Sequence, residues 1–73
     1  MSRLKLLTGK EMCAFLEKLG FIRTRQNGSH VFYKHIDGRT TVVPTKTKDL
    51  PRGTIRSILS DIGMTIELYN KHN

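Results

Sequence analysis

Residues 26–35 read QNGSHVFYKH, and this stretch decides the predicted fold. Asn27-Gly28 stands between two runs rich in β-branched and aromatic residues, which is the strongest short-range signal for a β-hairpin. A type I′ turn requires positive φ at both central positions, and Asn and Gly tolerate that conformation best. We therefore expect two antiparallel strands joined at Asn27-Gly28, with Ser29 and His30 opening the second strand.

The hairpin extends to a third strand. Residues 21–26, 29–35 and 40–43 are predicted strands because Val, Ile, Thr, Tyr and Phe favour a pleated, half-buried surface. Asp37-Gly38 provides the second turn. Pro44 ends the third strand, since proline has no N–H to donate to a ladder. The pattern predicts a three-stranded antiparallel meander.

A helix precedes the strands. Thr8 with Glu11 three residues later forms a capping box, and Gly20 is expected to stop the helix as a left-handed C-cap. The apolar positions between them follow the i, i+3, i+4, i+7 spacing of one helical face. The predicted helix covers residues 9–19, and its apolar face consists of Met12, Phe15, Leu16 and Leu19.

A second helix follows the strands. Asp49 is predicted to cap it, with Pro51 in its first turn and Gly63 at its end. Thr65 is expected to cap a final turn or two that extends through Tyr69, with Glu67 at the positive end of the helix dipole. The apolar face of the second helix repeats the spacing of the first, with Ile55, Ile58, Leu59 and Ile62.

The element order predicts an α+β fold, α-β-β-β-α, in one domain that spans residues 1–73. Two apolar helical stripes require one sheet face, so both helices should pack on the same side of the meander and leave the other face open. A chain of 73 residues conceals only about 60% of the surface that its unfolded form exposes, so the core must be thin.

The composition points to an anionic partner. Thirteen Lys and Arg against six Asp and Glu give a formal net charge of +7. Repulsion among these charges is relieved by spreading them out or by an anionic ligand, and nucleic acid is the leading candidate. A charge that only maintains solubility and an acidic protein partner are the alternatives.

Cys13 is the single cysteine, so no internal disulfide can form. No Cys/His set has zinc-site spacing, and we expect no metal and no small-molecule cofactor. Cys13 falls in a helical pattern and is interpreted as a packing residue. No apolar run is long enough to cross a membrane, and residues 1–7 are too short for a signal peptide. We expect a soluble, cytoplasmic protein.

Histidine chemistry provides a specific hypothesis. Metal-free RNA cleavage needs a group that removes the 2′-hydroxyl proton and one that protonates the leaving 5′-oxygen, and histidine suits either role. His30 and His35 are an odd number of residues apart on one strand, so their side chains point to opposite faces and cannot act together. His72, next to the C-terminus, is given little role. From spacing alone, a structural His30 that hydrogen-bonds the turn is favoured over a catalytic one.

The remaining basic residues suggest an RNA surface. Arg23 and Arg25 are expected on one face of the first strand, and Phe32 or Tyr33 offers a ring for base stacking, although core packing is favoured for the one on the inner face. Backbone N–H groups at a helix N-terminus already favour phosphate. The predicted cationic contacts are Lys34 near the second turn, and Lys46, Lys48 and Arg52 around the start of the second helix.

Short motifs in a particular order resemble the HicA-like mRNA interferase toxins of bacterial toxin-antitoxin systems. The resemblance covers nearly the whole chain. Its motifs are residues 9–11 (GKE), 16–21 (LEKLGF), 26–30 (QNGSH), 37–39 (DGR), 42–44 (VVP) and 53–59 (GTIRSIL).

The resemblance implies a double-stranded-RNA-binding-domain-like fold and a ribonuclease. Together with the histidine chemistry above, it leads us to expect an endoribonuclease that cleaves mRNA without a metal. It implies that His30 is catalytic, which reverses the preference from spacing. We expect Gly28 and Ser29 to set the position of its ring and to belong to the RNA-binding site. It also implies a HicB-like antitoxin that neutralises the toxin. Lys46 departs from the family pattern, because many members carry a histidine about there, and an ammonium binds phosphate but transfers protons poorly. A non-catalytic RNA-binding module and a protein-binding adaptor are the alternative functions.

Overall fold

The computed structural model describes residues 3–46 and 48–73. Thr47, in the predicted loop 45–50, and Met1 and Ser2, in the stretch considered as a leader, lie outside the described residues. The elements follow the predicted order, with a third helix at the end. They are α1 (Gly9–Lys18), β1 (Ile22–Asn27), β2 (His30–Lys34), β3 (Thr40–Pro44), α2 (Arg52–Ile62) and α3 (Ile66–His72).

Both predicted signals that delimit α1 are confirmed. The Glu11 amide donates to Thr8 Oγ1 at 3.1 Å, and the Thr8 amide donates to Glu11 Oε1 at 2.9 Å. After the helix, Gly20 has a φ of 96° and the Phe21 amide donates to the Leu16 carbonyl at 3.0 Å. This is the Schellman arrangement that a glycine with positive φ permits.

The strands form an antiparallel sheet in the order β1-β2-β3, so β2 is central. The first turn differs from its prediction by one residue. Asn27 pairs with His30, which leaves Gly28-Ser29 as the loop, and only Gly28 has positive φ, at 61°. Glycine at the first central position is typical of a type II′ turn, so the predicted type I′ turn is wrong. Ser29 therefore belongs to the turn, and β2 begins at His30.

The start of α2 also differs from the prediction. Pro51 is the N-cap residue, and no side chain caps the helix. Asp49 instead forms an antiparallel bridge with Thr8, while the Leu50 amide donates to the Leu7 carbonyl at 2.8 Å. This extended path buries Leu50 in the core and prevents Asp49 from serving as the cap. Gly63, with a φ of 70°, ends the helix as predicted.

The last helix, α3, is longer than predicted and is joined to the N-terminal segment. Thr65 caps it by accepting from the Leu68 amide at 3.2 Å, as expected. The buried Tyr69 packs edge-on against Phe15 at 5.6 Å between ring centroids, and its hydroxyl donates to the Lys5 carbonyl at 2.5 Å. The N-terminal segment, for which no structure was predicted, also places Leu4 and Leu7 in the core.

The two faces of the sheet have different environments, which confirms the α+β fold with an open three-stranded sheet. Side chains on one face pack against α1 and α2, and these are Val31, Tyr33, Thr41 and Val43. The opposite face, which we call the open face, consists of the cross-strand rows Asn27-His30-Pro44, Arg25-Phe32-Val42 and Ile22-Lys34-Thr40. Its side chains are exposed or half-buried.

Candidate RNA-cleaving site

His30 lies at the end of the central strand, on the open face, and is exposed. Its cross-strand neighbours are Asn27 on β1 and Pro44 on β3. Among residues 3–46 and 48–73, the imidazole has no hydrogen-bond, ion-pair or ring partner. The bond to the turn that a structural role would supply is therefore missing from this part of the chain.

A double hydrogen bond fixes the backbone next to His30. The amide and the hydroxyl of Thr45 both donate to the Ser29 carbonyl, at 2.7 and 2.9 Å. The Gln26 side chain donates to the Gly28 carbonyl at 3.0 Å. The hairpin turn and the segment after β3 are thus held together at one end of the sheet.

The start of α1 reaches the same end of the sheet. Gly9 packs so closely there that an added Cβ would lie 2.6 Å from the Pro44 carbonyl oxygen and 2.7 Å from Thr45 Cα. A shallow pocket of about 280 Å³ lies between this helix start and the segment after β3. Lys10, Lys46 and Lys48 all line it, which places three cations around the Thr8-Gly9 helix start.

The other predicted cationic contacts lie elsewhere. Arg52 is the first residue of α2 and lines a different pocket, of about 480 Å³, with Arg3, Lys5 and Asn70. Lys34 is the last residue of β2, on the same face as His30 but about 13 Å along the strand. Lys46 and Lys48 thus share a pocket with Lys10, which was not among the predicted contacts. The helix start in this pocket is that of α1, whereas the prediction placed these lysines at the start of α2.

Arg23 and Arg25 lie on opposite faces, which corrects the prediction that they share one. A β-bulge at Thr24 shifts the register, so Arg23 pairs with Tyr33 and Arg25 with Phe32. A bulge adds one residue to a strand and reverses the alternation beyond it. The Arg25 guanidinium consequently lies over the Phe32 ring, 4.5 Å from the centroid, on the open face.

Tyr33 is the aromatic residue that faces the core. Its ring is 1% exposed, and its hydroxyl donates to Glu17 Oε2 at 2.6 Å. Burial, and then the bond to Glu17, raise the pKa of Tyr33 above its usual value. Arg23 lies nearby, with Nη2 at 3.7 Å from the same Glu17 oxygen. Phe32 is therefore the ring that solvent, and any ligand of the sheet, can reach.

The other two histidines contact aromatic side chains away from His30. His35 packs edge-on against Phe21 at 5.0 Å, and its Nδ1 lies 3.2 Å from Asp37 Oδ2. Hydrogen bonding from the Arg39 amide, above all, lowers the pKa of Asp37. The ring of His72 lies 6.0 Å from that of Phe15. His35 lies one residue beyond the end of β2, which the prediction had extended to residue 35, and its contact with the buried Phe21 keeps it away from His30 on the open face.

Two further observations concern the described residues alone. No group of three His, Cys, Asp or Glu side chains in residues 3–46 and 48–73 is arranged to hold a metal ion. No helix in those ranges has the length and apolar character needed to span a membrane. Cys13 is buried in α1, in agreement with its interpretation as a packing residue.

The fold and the site define a small basic α+β domain with an open sheet face and an accessible histidine at the end of the central strand. The family model described as HicA toxin of bacterial toxin-antitoxin matches residues 9–64. The chain belongs to this family, which confirms the resemblance in its sequence. The match runs from the first residue of α1 to just beyond α2, and so includes the whole sheet. A search of curated proteins found no match.

Proposed function

We propose that this HicA-family toxin is a cytoplasmic endoribonuclease that cleaves mRNA without a metal, with His30 as its proton-transfer group. The observation that carries the proposal is that the His30 side chain is exposed and unpartnered in the described part of the chain. An imidazole that is exposed, has no partner in the described part of the chain and follows a turn whose backbone is clamped is available to a substrate. A packing histidine such as His35 has ring and carboxylate contacts instead.

The reaction requires only a nucleophile that RNA itself supplies. His30 accepts the proton of a 2′-hydroxyl, the 2′-oxygen forms a bond to the adjacent phosphorus, and the bond from phosphorus to the 5′-oxygen breaks. The departing 5′-oxygen takes up a proton, either from the imidazolium or from water. The products are a 2′,3′-cyclic phosphate, or the 3′-phosphate formed from it by hydrolysis, and a 5′-hydroxyl.

Lys10, Lys46 and Lys48 are proposed to hold the RNA backbone at and next to the scissile phosphate. Fixed cations stabilise the charge that develops on a phosphoryl group in the transition state. Their pocket adjoins the Ser29-Thr45 clamp, since Thr45 and Lys46 both line it. Gly28 and Ser29 would set the orientation of the imidazole through the turn that they form. Lys34 and Arg52 would contact phosphates farther along the strand.

The proposed protein partner is a HicB-like antitoxin. The toxin carries a net charge of +7, and none of the residues of β1, β2 and β3 is Asp or Glu. An acidic antitoxin surface complements such a face, and complementary charge speeds association and favours the correct partner. Binding over the open face would cover His30 and exclude RNA.

Incubation of the purified protein with RNA in EDTA tests the class of function. We expect fragments that carry 2′,3′-cyclic or 3′-phosphate ends. The rate of cleavage should be the same with and without EDTA. RNA that is retarded in a gel but stays intact, with or without added Mg²⁺, would instead identify a non-catalytic RNA-binding module. Cleavage that EDTA abolishes would contradict a mechanism that uses only the 2′-hydroxyl and protein side chains.

A further inference from the structure

The exposed Arg25 and the half-buried Phe32 form a cation–π pair in the middle of the open face. The guanidinium carbon lies 4.5 Å from the centroid of the phenyl ring. The pair exists because the bulge at Thr24 brings Arg25 opposite Phe32. Bulges that re-aim a side chain in this way are over-represented next to active sites.

Arg25 has no other partner in the part of the chain that the structure describes. The Arg39 guanidinium also lies over an aromatic ring, with its central carbon 5.2 Å from the centroid of Phe21. Arg39, however, donates to the Ile62 carbonyl and to Asp37, and Phe21 is buried. The Arg39 guanidinium is therefore already held by hydrogen bonds within the protein, whereas the five N–H donors of Arg25 have no partner in the described part of the chain and remain open to a ligand.

We infer that Arg25 and Phe32 form a platform on which an unpaired RNA base stacks while the adjacent phosphate lies at His30. The inference rests on the proposed function and specifies its substrate as single-stranded RNA. Exposed bases stack on aromatic rings and on guanidinium planes, and this contact tolerates different base identities. A base on this platform would contact the guanidinium and the ring together, and the N–H groups of Arg25 can donate to a phosphate.

The positions along β2 agree with this substrate. His30, Phe32 and Lys34 share the open face, and consecutive members are about 7 Å apart. The strand thus presents an imidazole, a stacking ring and an ammonium in succession, on a sheet without carboxylates in its strands. A duplex keeps its bases stacked on each other, so their faces are not free to meet Phe32.

A binding measurement that does not depend on cleavage tests the platform. The probe is a short single-stranded RNA with 2′-O-methyl groups, which removes the 2′ nucleophile, and the Kd is measured by fluorescence anisotropy in EDTA. We expect Phe32→Leu to weaken binding about tenfold, as the loss of one stacked base does, while Phe32→Trp binds at least as well as the wild type. Arg25→Gln should weaken binding more than Arg56→Gln, a control with the same change of charge on α2.

Two further probes separate stacking from charge. The same strand with abasic sites should bind more weakly and lose its sensitivity to Phe32→Leu, and the fully paired duplex should show no such sensitivity. The chain has no Trp, so fluorescence of Phe32→Trp reports on this position alone. We expect the intact strand to quench it and the abasic strand not to. Equal affinity of Phe32→Leu and the wild type, or an absence of quenching, would overturn the platform.

The platform and the proposed function fail in distinguishable ways. Cleavage of an unmodified strand is measured separately for each variant. Binding that depends on Phe32 in a protein that never cleaves RNA would preserve the platform and refute the nuclease. Cleavage and binding at wild-type levels in folded Phe32→Leu would refute the platform and preserve the nuclease.

Discussion

The Ser29 carbonyl oxygen accepts two hydrogen bonds from Thr45, one from the amide at 2.7 Å and one from the hydroxyl at 2.9 Å. These bonds connect the turn that precedes His30 to the segment that carries Lys46. Proton transfer depends on hydrogen-bond geometry, and a small misplacement of the reacting groups is costly. We therefore expect loss of the clamp to lower the proposed RNA cleavage by more than it lowers stability.

Thr45→Val tests this clamp. The change removes the hydroxyl donor but keeps the hydrogen bond from the backbone amide and the shape of the side chain. We expect the free energy of unfolding to fall by about 1 kcal/mol, the usual contribution of one hydrogen bond. RNA cleavage should fall by more than this loss of folded protein explains, with Thr45→Ser close to the wild type. Parallel thermal melts and cleavage rates provide the comparison, and cleavage unaffected in Thr45→Val would show that the clamp does not position His30.

Gly9→Ala is expected to be destabilising because of a backbone clash. An added Cβ would meet the Pro44 carbonyl oxygen at 2.6 Å and Thr45 Cα at 2.7 Å, and neither is the end of a flexible side chain. Overpacking of this kind costs about 1–3 kcal/mol. Gly53→Ala in α2 is the matched control, since an added Cβ there would meet no described atom within 4 Å other than those of its chain neighbours and its own helix backbone. The control should be neutral or stabilising by up to about 1 kcal/mol in denaturant unfolding, and a Gly9→Ala protein as stable as Gly53→Ala would contradict this packing.

Stability should decline at alkaline pH, in part through Tyr69. Burial, followed by the effect of the Glu11 carboxylate, raises the pKa of Tyr69 from 10.0 to about 12. A folded-state pKa above the unfolded one means that this contribution is complete below pH 10 and is lost as the pH approaches 12.

Tyr69→Phe isolates that contribution from the one made by Tyr33, whose pKa is also raised. We expect the variant to be less stable at pH 8, because the Lys5 carbonyl loses its hydrogen bond, and to decline less steeply between pH 10 and 12. Urea unfolding across that range provides the measurement. Parallel stability curves for Tyr69→Phe and the wild type would show that Tyr69 titrates normally.

Lys46 and Lys48 should contribute charge rather than base recognition. Lys46→Ala is expected to weaken binding of 2′-O-methyl RNA uniformly across sequences. It should also reduce the slope of log K against log salt by about 0.7, the value for one phosphate of a single strand. Lys71→Ala on α3 is the control, because Lys71 lies outside the pocket that Lys46 lines. Identical salt slopes for Lys46→Ala and Lys71→Ala would place the RNA elsewhere.

Local signals were sufficient to predict most of the fold. The Thr8 cap, the Gly20 and Gly63 stops and the apolar helical faces depend on contacts within a turn or two, so the sequence indicates them directly. The predictions were wrong where the local structure depends on contacts with segments that are distant in the sequence. Asp49 does not cap α2 because its backbone pairs with Thr8, a residue that is distant in the sequence. Leu4 was not assigned to the core because its burial depends on partners that are remote in sequence.

The site shows the same division between local and tertiary effects. His30 and His35 lie apart as expected, although His35 lies beyond the end of β2. Strand parity failed for Arg23 and Arg25 because no glycine or proline marks the bulge at Thr24. The pairing of Lys46 and Lys48 with the start of α1 depends on the close packing of Gly9 against the end of β3. Neither the bulge nor the lysine pocket can be predicted from a local pattern in the sequence.

Cleavage of RNA by His30→Ala is the most direct measurement of the proposed mechanism. The variant removes an exposed side chain without a partner in the described part of the chain, so we expect it to fold and melt as the wild type does. His72→Ala is the matched control near the C-terminus. We expect His30→Ala to lose cleavage by about 100-fold or more, the range for a general acid-base group, while it still binds 2′-O-methyl RNA and the antitoxin. Cleavage by a folded His30→Ala protein at the rate of the His72→Ala control would contradict a catalytic role for His30.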